Sequence, residues 1–182
     1  MNVRLCLQRF TAMLLILIVG ICGMPTAVLA AGHIDAGREA SLRVYFGENG
    51  TGFPDVSFSM YHAADVSETG VYTLAGDFAK YPVSLEDLDS AGWRALAQTL
   101  AAYAARDELP PLQTKTTGQD GECHFSGLTA GLYLVIGERY TAENAVYTPE
   151  PMLVSLPGQT EDDWNYDAEA VCKFDREDTP AE

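Results

Sequence analysis

His33, His62 and His124 are the three imidazoles of the chain, and their spacing builds no site. None stands in an H-E-x-x-H pattern and no C-x-x-C pair accompanies them, so metal-ligand spacing is missing. There is no G-x-S-x-G elbow and no glycine-rich phosphate loop carrying a lysine. Cys123 and His124 are adjacent, which suggests a thiol nucleophile with its base. Neighbours in a strand point to opposite faces, so the side-chain contact such a pair needs is disfavoured. The acids from Glu161 to Asp163 lack the EF-hand pattern and read as a solvated loop rather than a Ca²⁺ site. The sequence thus predicts a non-enzymatic protein with no catalytic, cofactor-binding or metal-binding residues.

The informative chemistry lies near the C-terminus. In WNYDAEAVCK, from Trp164 to Lys173, the apolar residues Tyr166, Ala168, Ala170 and Cys172 alternate with Asn165, Asp167, Glu169 and Lys173, Val171 being the exception. Period two places Cys172 on a buried face and Lys173 on the solvent face. The same rule buries Cys123 beside Phe125 and turns His124 outward. Two inward cysteines in an exported domain are candidates for one disulfide, worth roughly 4 kcal/mol in the chain-entropy model. Two buried free thiols and a crosslink between molecules are the alternatives, because spacing alone does not bring their Cα atoms close.

The N-terminus supports export. Met1 to Arg9 holds Arg4 and Arg9 and no acid, and an apolar run spans Thr11 to Gly23 before Pro25. Ala27-Val28-Leu29-Ala30 then supplies a cleavage site after Ala30, with Ala31 as the second choice. The competing reading, an uncleaved anchor, meets an apolar run that is short for the ~20 residues of a bilayer span. Cleavage removes Cys6, Cys22 and both arginines, leaving 9 basic residues against 26 acidic ones, a net charge of −17 where the whole chain has −15. Such charge argues against nucleic acid as a partner and against docking on anionic lipid. No later run is apolar enough to leave a stable membrane span after cleavage.

The elements that would position these residues are mostly strands. Leu42, Val44 and Phe46 alternate with Ser41, Arg43 and Tyr45, and Val56, Phe58 and Met60 with Ser57, Ser59 and Tyr61. Further strand candidates are Val71 to Leu74, Cys123 to Phe125, Leu132 to Ile136, Val146-Tyr147, Met152 to Leu156 and Tyr166 to Phe174. One segment has helical period: Trp93, Leu96, Ala97, Leu100, Tyr103 and Ala104 recur every three or four residues. It predicts a helix from about 90 to 106, capped by Asp89 or Ser90 and ended before Pro110-Pro111. Its apolar stripe suits the core, with a partner-binding groove as the sharper alternative. Many short strands with Gly and Pro turns predict a mainly β protein, a β-sandwich with one inserted helix.

The stretch TTGQDGECHFSGLTAGLYLVIGE, Thr116 to Glu138, resembles the signature of Cna-B-type domains, the collagen-adhesin B-repeat fold of Gram-positive surface proteins. SFSMYHAADV, DSAGWRALAQTLAAYA, YTPEPMLVSLP and WNYDAEAVCK resemble, more narrowly, the N-terminal domain of sortase-assembled major pilins. The resemblance covers Ser41 to about Phe174. It implies an immunoglobulin-like or prealbumin-like β-sandwich and leaves open several roles, since such domains serve as pilins, adhesin stalks and spacers.

Carried over residue by residue, the resemblance yields three expectations. The pilin motif W-x-x-x-V-x-V-Y-P-K is met in spacing by Trp164 and Lys173, while Ala168, Ala170, Val171 and Cys172 replace the residues between. It makes Lys173 a candidate acceptor amine for a sortase thioester, against the plainer reading of a solvated strand-edge lysine. Many relatives form an internal Lys–Asn amide promoted by a buried acid. Here SLRVYF has no lysine, Arg43 cannot serve because guanidinium stays protonated, and Glu138 resembles the promoting acid without its lysine partner. No amide is expected in that place, and a Cys123–Cys172 bridge is a candidate replacement. Finally, a sortase donor ends in Leu-Pro-x-Thr-Gly, an apolar stretch and a basic tail, which do not occur here; DTPAE resembles the entrance to a Pro-rich stalk.

The predicted organisation is a signal peptide at 1–30, a linker at 31–40, the sandwich at 41–175 and a disordered tail or stalk start at 176–182. The expected role is a secreted, cell-wall-associated structural module of a Gram-positive bacterium, with other pilin or surface subunits and a sortase as partners. An adhesin module gripping a host or neighbour-cell ligand, and an exported enzyme or inhibitor on the same scaffold, are the alternatives.

Overall fold

The computed structural model describes residues 32–160 and 163–179. The predicted signal peptide and the acids Glu161 and Asp162 lie outside the described residues. In chain order the strands begin with β1 (Ala40–Tyr45), β2 (Gly47–Glu48), β3 (Thr51–Gly52), β4 (Ser57–Val66) and β5 (Tyr72–Leu74). Helix α1 (Ser90–Arg106) follows. Then come β6 (Gln113–Thr116), β7 (Glu122–Leu128), β8 (Gly131–Gly137), β9 (Tyr140–Thr141) and β10 (Ala145–Pro149). The chain closes with β11 (Met152–Leu156), β12 (Gly158–Gln159), β13 (Trp164–Asn165), β14 (Asp167–Val171) and β15 (Phe174–Asp178).

One sheet has the order β14-β1-β7, with β1 parallel to β14 and antiparallel to β7. A second runs β11-β8-β4-β5, with β6 also pairing with β4. A third runs β15-β10-β9. Alternation along β1 buries Leu42, Val44 and, just past its end, Phe46. They meet Phe58 and Met60 of β4 and Tyr133 and Val135 of β8 in the main core, which also takes Cys123, Phe125 and Cys172. Burial of this apolar face is the main source of stability. An aromatic group closes one end, with Phe46 edge-on to Phe53, Phe58 and Phe174 at 5.0, 5.7 and 5.8 Å between ring centroids. Thr117 is buried among these apolar groups, and its hydroxyl donates to Phe53 O at 2.7 Å and accepts from Val56 N–H at 2.9 Å. Its polar group is therefore satisfied.

The unbroken apolar run of β8 has a structural reason: its sheet is covered on both faces. Tyr133 and Val135 enter the main core, while Leu134 and Ile136 face α1 and the residues around it. Leu96, Ala97, Leu100 and Ala104 form the buried stripe of α1, packed with Ala63, Phe78, Tyr81 and Leu109. Most of the stripe is core, while Trp93 and Ala97 at its N-terminal end also border a groove. Asp89 caps the helix, its carboxylate accepting from Gly92 N–H at 2.8 Å.

At the C-terminal side, where the sequence predicts a disordered tail or stalk start at 176–182, Phe174–Asp178 is a strand paired antiparallel with β10, Tyr147 opposite Arg176. Backbone pairing and the burial of Phe174 against the aromatic group hold a segment whose composition alone reads as unfolded. The linker is also partly fixed. Ile34 is 3% exposed, and Asp35 N–H donates to the Tyr166 hydroxyl at 2.7 Å. Among the described residues no helix is long and apolar enough to cross a membrane.

Candidate functional site

Lys173 stands where the chain changes sheets. Strand β14 ends at Val171, opposite Tyr45 of β1, and Cys172 N–H still donates to Tyr45 O at 2.8 Å. Phe174 is already opposite Pro149 of β10. Between them, Lys173 O accepts from Glu150 N–H at 2.7 Å, fastening the corner to the turn between β10 and β11. A corner aims its side chain away from both sheets, and Lys173 is exposed there.

The amine borders a groove of about 210 Å³. Trp93 and Ala97 of α1, Pro151, Met152 and Leu153, and Val171 give it apolar walls; Arg94 and Glu150 are its other charged groups. Val171, the exception in the alternating pattern, is 71% exposed at this rim. Arg94 Nε lies 3.7 Å from Glu150 Oε2, whereas Lys173 takes part in none of the ion pairs within 4.0 Å among the described residues. The arrangement is an exposed primary amine, free of an ion pair among the described residues, beside an apolar trough.

Trp164 does not share this site. It lies on β13, half-buried against the main core, and its indole N–H donates to Gly32 O. It borders a separate cavity of about 550 Å³ with His33, Glu68, Tyr72, Ser155 and Gln159. The length of β14 separates the two motif residues, with Trp164 on β13 before it and Lys173 at the corner just past its end. Arg94 and Glu150 escaped sequence reasoning. Glu150 is flagged only by its flanking prolines and Arg94 by nothing local.

Cys123 and Cys172 are both buried free thiols. Cys123 lies on β7 and Cys172 just past the end of β14, and both enter the main core. Burial pushes the Cys123 thiol up to about 11 and the Cys172 thiol up to about 12, with the Glu150 carboxylate adding to the latter. Cys172 Sγ donates to Lys173 O at 3.3 Å, so this protonated thiol braces the corner from inside.

The remaining expected residues stay apart. Glu138 is exposed just past β8, its N–H donating to Ser57 O at 2.9 Å. Arg43 is on the outer face of β1, with Glu169 at 3.2 Å and Glu122 at 3.6 Å. The inward residues of β1 are apolar, so no amine faces Glu138 from this strand. His33 is exposed 3.5 Å from Glu68, His62 packs its ring on Tyr133, and His124 is exposed on β7. No group of three His, Cys, Asp or Glu that could hold a metal occurs among the described residues.

Residues 22–170 match the family described as Gram-positive pilin subunit D1, N-terminal domain. Similar solved structures include the full-length major pilin SpaD of Corynebacterium diphtheriae, at 24% identity over 78% of this chain and 31% of that one, with TM-score 0.47. The major pilin SpaA of the same organism gives 24% identity, 74% and 30% coverage, and TM-score 0.41. The T6 backbone pilin of Streptococcus pyogenes gives 16%, 80% and 29%, and 0.47. The chain spans about a third of the length of these solved relatives. Among curated proteins none matches it.

Proposed function

Because the chain belongs to the family of Gram-positive pilin subunit D1 N-terminal domains, we propose that it is the N-terminal module of a surface pilus subunit and that Lys173 is the amine through which a neighbouring subunit is joined. The role is structural. The protein is exported, is held at the cell surface of a Gram-positive bacterium, and has other pilin subunits and a sortase as partners. The observation that carries this reading is the placement of Lys173, unpaired at a braced corner beside an apolar groove. The other two lysines are elsewhere: Lys80 lies 3.8 Å from Asp107, and Lys115 is on β6.

The chemistry asked of the module is modest. The sortase holds the donor as a thioester. The neutral Nζ of Lys173 attacks the acyl carbon, an amide forms and the C–S bond breaks. The thiolate leaves and takes up the proton that the amine gives up. The module supplies a positioned nucleophile and a wall for the donor chain. The test is to incubate the protein with a pilus-type sortase and a Leu-Pro-x-Thr-Gly peptide and to map the product by mass spectrometry. An amide at Lys173, lost in Lys173→Arg, supports the role; joining at Lys80 or Lys115 instead, or none at any lysine, overturns it.

A further inference from the structure

We propose that Arg94 is a positioning residue for the acceptor amine: it holds the Glu150 carboxylate, so that this carboxylate does not pair with Lys173. The inference rests on the acceptor role argued above. An amine attacks only when neutral, and a carboxylate within about 4–6 Å favours the charged form of its partner. Glu150 is the acid best placed to do this. It lines the same groove, and its N–H is bonded to Lys173 O, so the two residues are neighbours at the backbone. Its carboxylate lies instead 3.7 Å from the Arg94 guanidinium, with the Glu150 side chain 27% exposed.

Arginine suits this task. The guanidinium keeps its proton at any pH at which lysine titrates, so it neither competes as a nucleophile nor releases the acid as the pH rises. The charged groups facing Lys173 are few. Helix α1 contributes Arg94, the turn before β11 contributes Glu150, and Met152 and Leu153 of β11 are neutral. Cys172 turns inward, and Asp175 stands opposite Thr148 on β10. Within the groove the charged neighbours of the amine are therefore one carboxylate and one guanidinium.

The chain has three lysines, so two serve as internal controls. The intact protein is treated with a small N-hydroxysuccinimide acetate between pH 7 and 10, and the acetylation rate of each lysine is read by peptide mapping. In Arg94→Ala the freed carboxylate turns to Lys173, and its rate near pH 7.5 falls about three- to fivefold, as a newly formed exposed ion pair allows. Lys80 and Lys115 keep their rates, and the double variant Arg94→Ala/Glu150→Gln recovers the parent rate at Lys173. An unchanged or faster Lys173 in Arg94→Ala, or no recovery in the double variant, overturns the inference. Should Arg94→Ala disturb the fold, visible as altered rates at Lys80 and Lys115, Glu150→Gln alone decides. The inference expects Lys173 within twofold of the parent, and a several-fold change in either direction overturns it. Acetylation needs no sortase, so failure of the enzymatic joining reaction would sink the acceptor role and leave this result standing.

Discussion

Lys173 and Glu150 are joined backbone to backbone, the carbonyl of the first accepting the N–H of the second at 2.7 Å. The bond ties the corner at which the chain leaves β14 to the turn that separates β10 from β11. It fixes a flexible side chain at its root while leaving its tip free. Most of the entropy of ordering a lysine lies in its rotamers, so an anchored backbone with a free amine costs the fold little.

The acceptor and the fold are therefore separable. Lys173→Ala is expected to change unfolding free energy by no more than about 0.5 kcal/mol, as for surface sites generally. Phe46→Ala, at a fully buried position in the main core, is expected to cost about 3–5 kcal/mol. Urea unfolding of both variants measures the contrast. A large loss in Lys173→Ala would mean that the side chain carries structural weight.

Gly121 is expected to resist substitution. Its φ is +76°, and an added Cβ would stand 2.4 Å from Phe46 O and 2.5 Å from Gly52 Cα. The left-handed conformation costs an L-residue roughly 1–2 kcal/mol, and the backbone must also shift. Gly121→Ala should lose more than about 2 kcal/mol in denaturant unfolding. A neutral result would show that the turn relaxes freely.

The buried thiols give a pH dependence with a definite sign. Burial raises Cys123 to about 11 and Cys172 to about 12, from a starting value of 9.0. Between about 9 and 12 the folded state holds protons that the unfolded state has released, so stability falls as pH rises through that window. Tyr133, raised chiefly by burial, acts in the same direction. Urea midpoints should drop between pH 8 and pH 11, and less so in Cys123→Ser/Cys172→Ser when each variant is referred to its own pH 8 value. At pH 8 both native thiols should react with iodoacetamide far more slowly than in urea. Rapid native labelling would contradict their burial.

Asp107 predicts an acid-side effect. The Arg106 guanidinium at 2.7 Å and the Tyr81 hydroxyl at 2.5 Å hold its carboxyl well below the usual carboxylate range. A depressed group stabilises above its unfolded value, here 3.8, and loses that contribution as pH falls through its folded value. Asp107→Asn should lower the melting temperature at pH 7, with the gap to the parent narrowing below pH 4. A gap that stays constant to pH 2 would assign the loss to packing rather than charge.

Local order set the periods, and these were legible in the sequence. Period two along 164–173 buries Tyr166 and Cys172 and exposes Lys173, because adjacent strand residues must face opposite ways. The spacing of Leu96, Leu100 and Ala104 with a cap at Asp89 defined α1, because capping and helical period are local properties. Which faces meet was decided only by the tertiary structure. Residues 56 apart along the chain, Arg94 and Glu150, pair at 3.7 Å beside Lys173, while Trp164, nine residues from that lysine, borders another cavity. Likewise the acidic end of the chain became β15 because a distant strand, β10, offered its backbone and an aromatic pocket took Phe174. Such pairings draw on surface buried between remote segments, a free energy that no single stretch of sequence carries by itself.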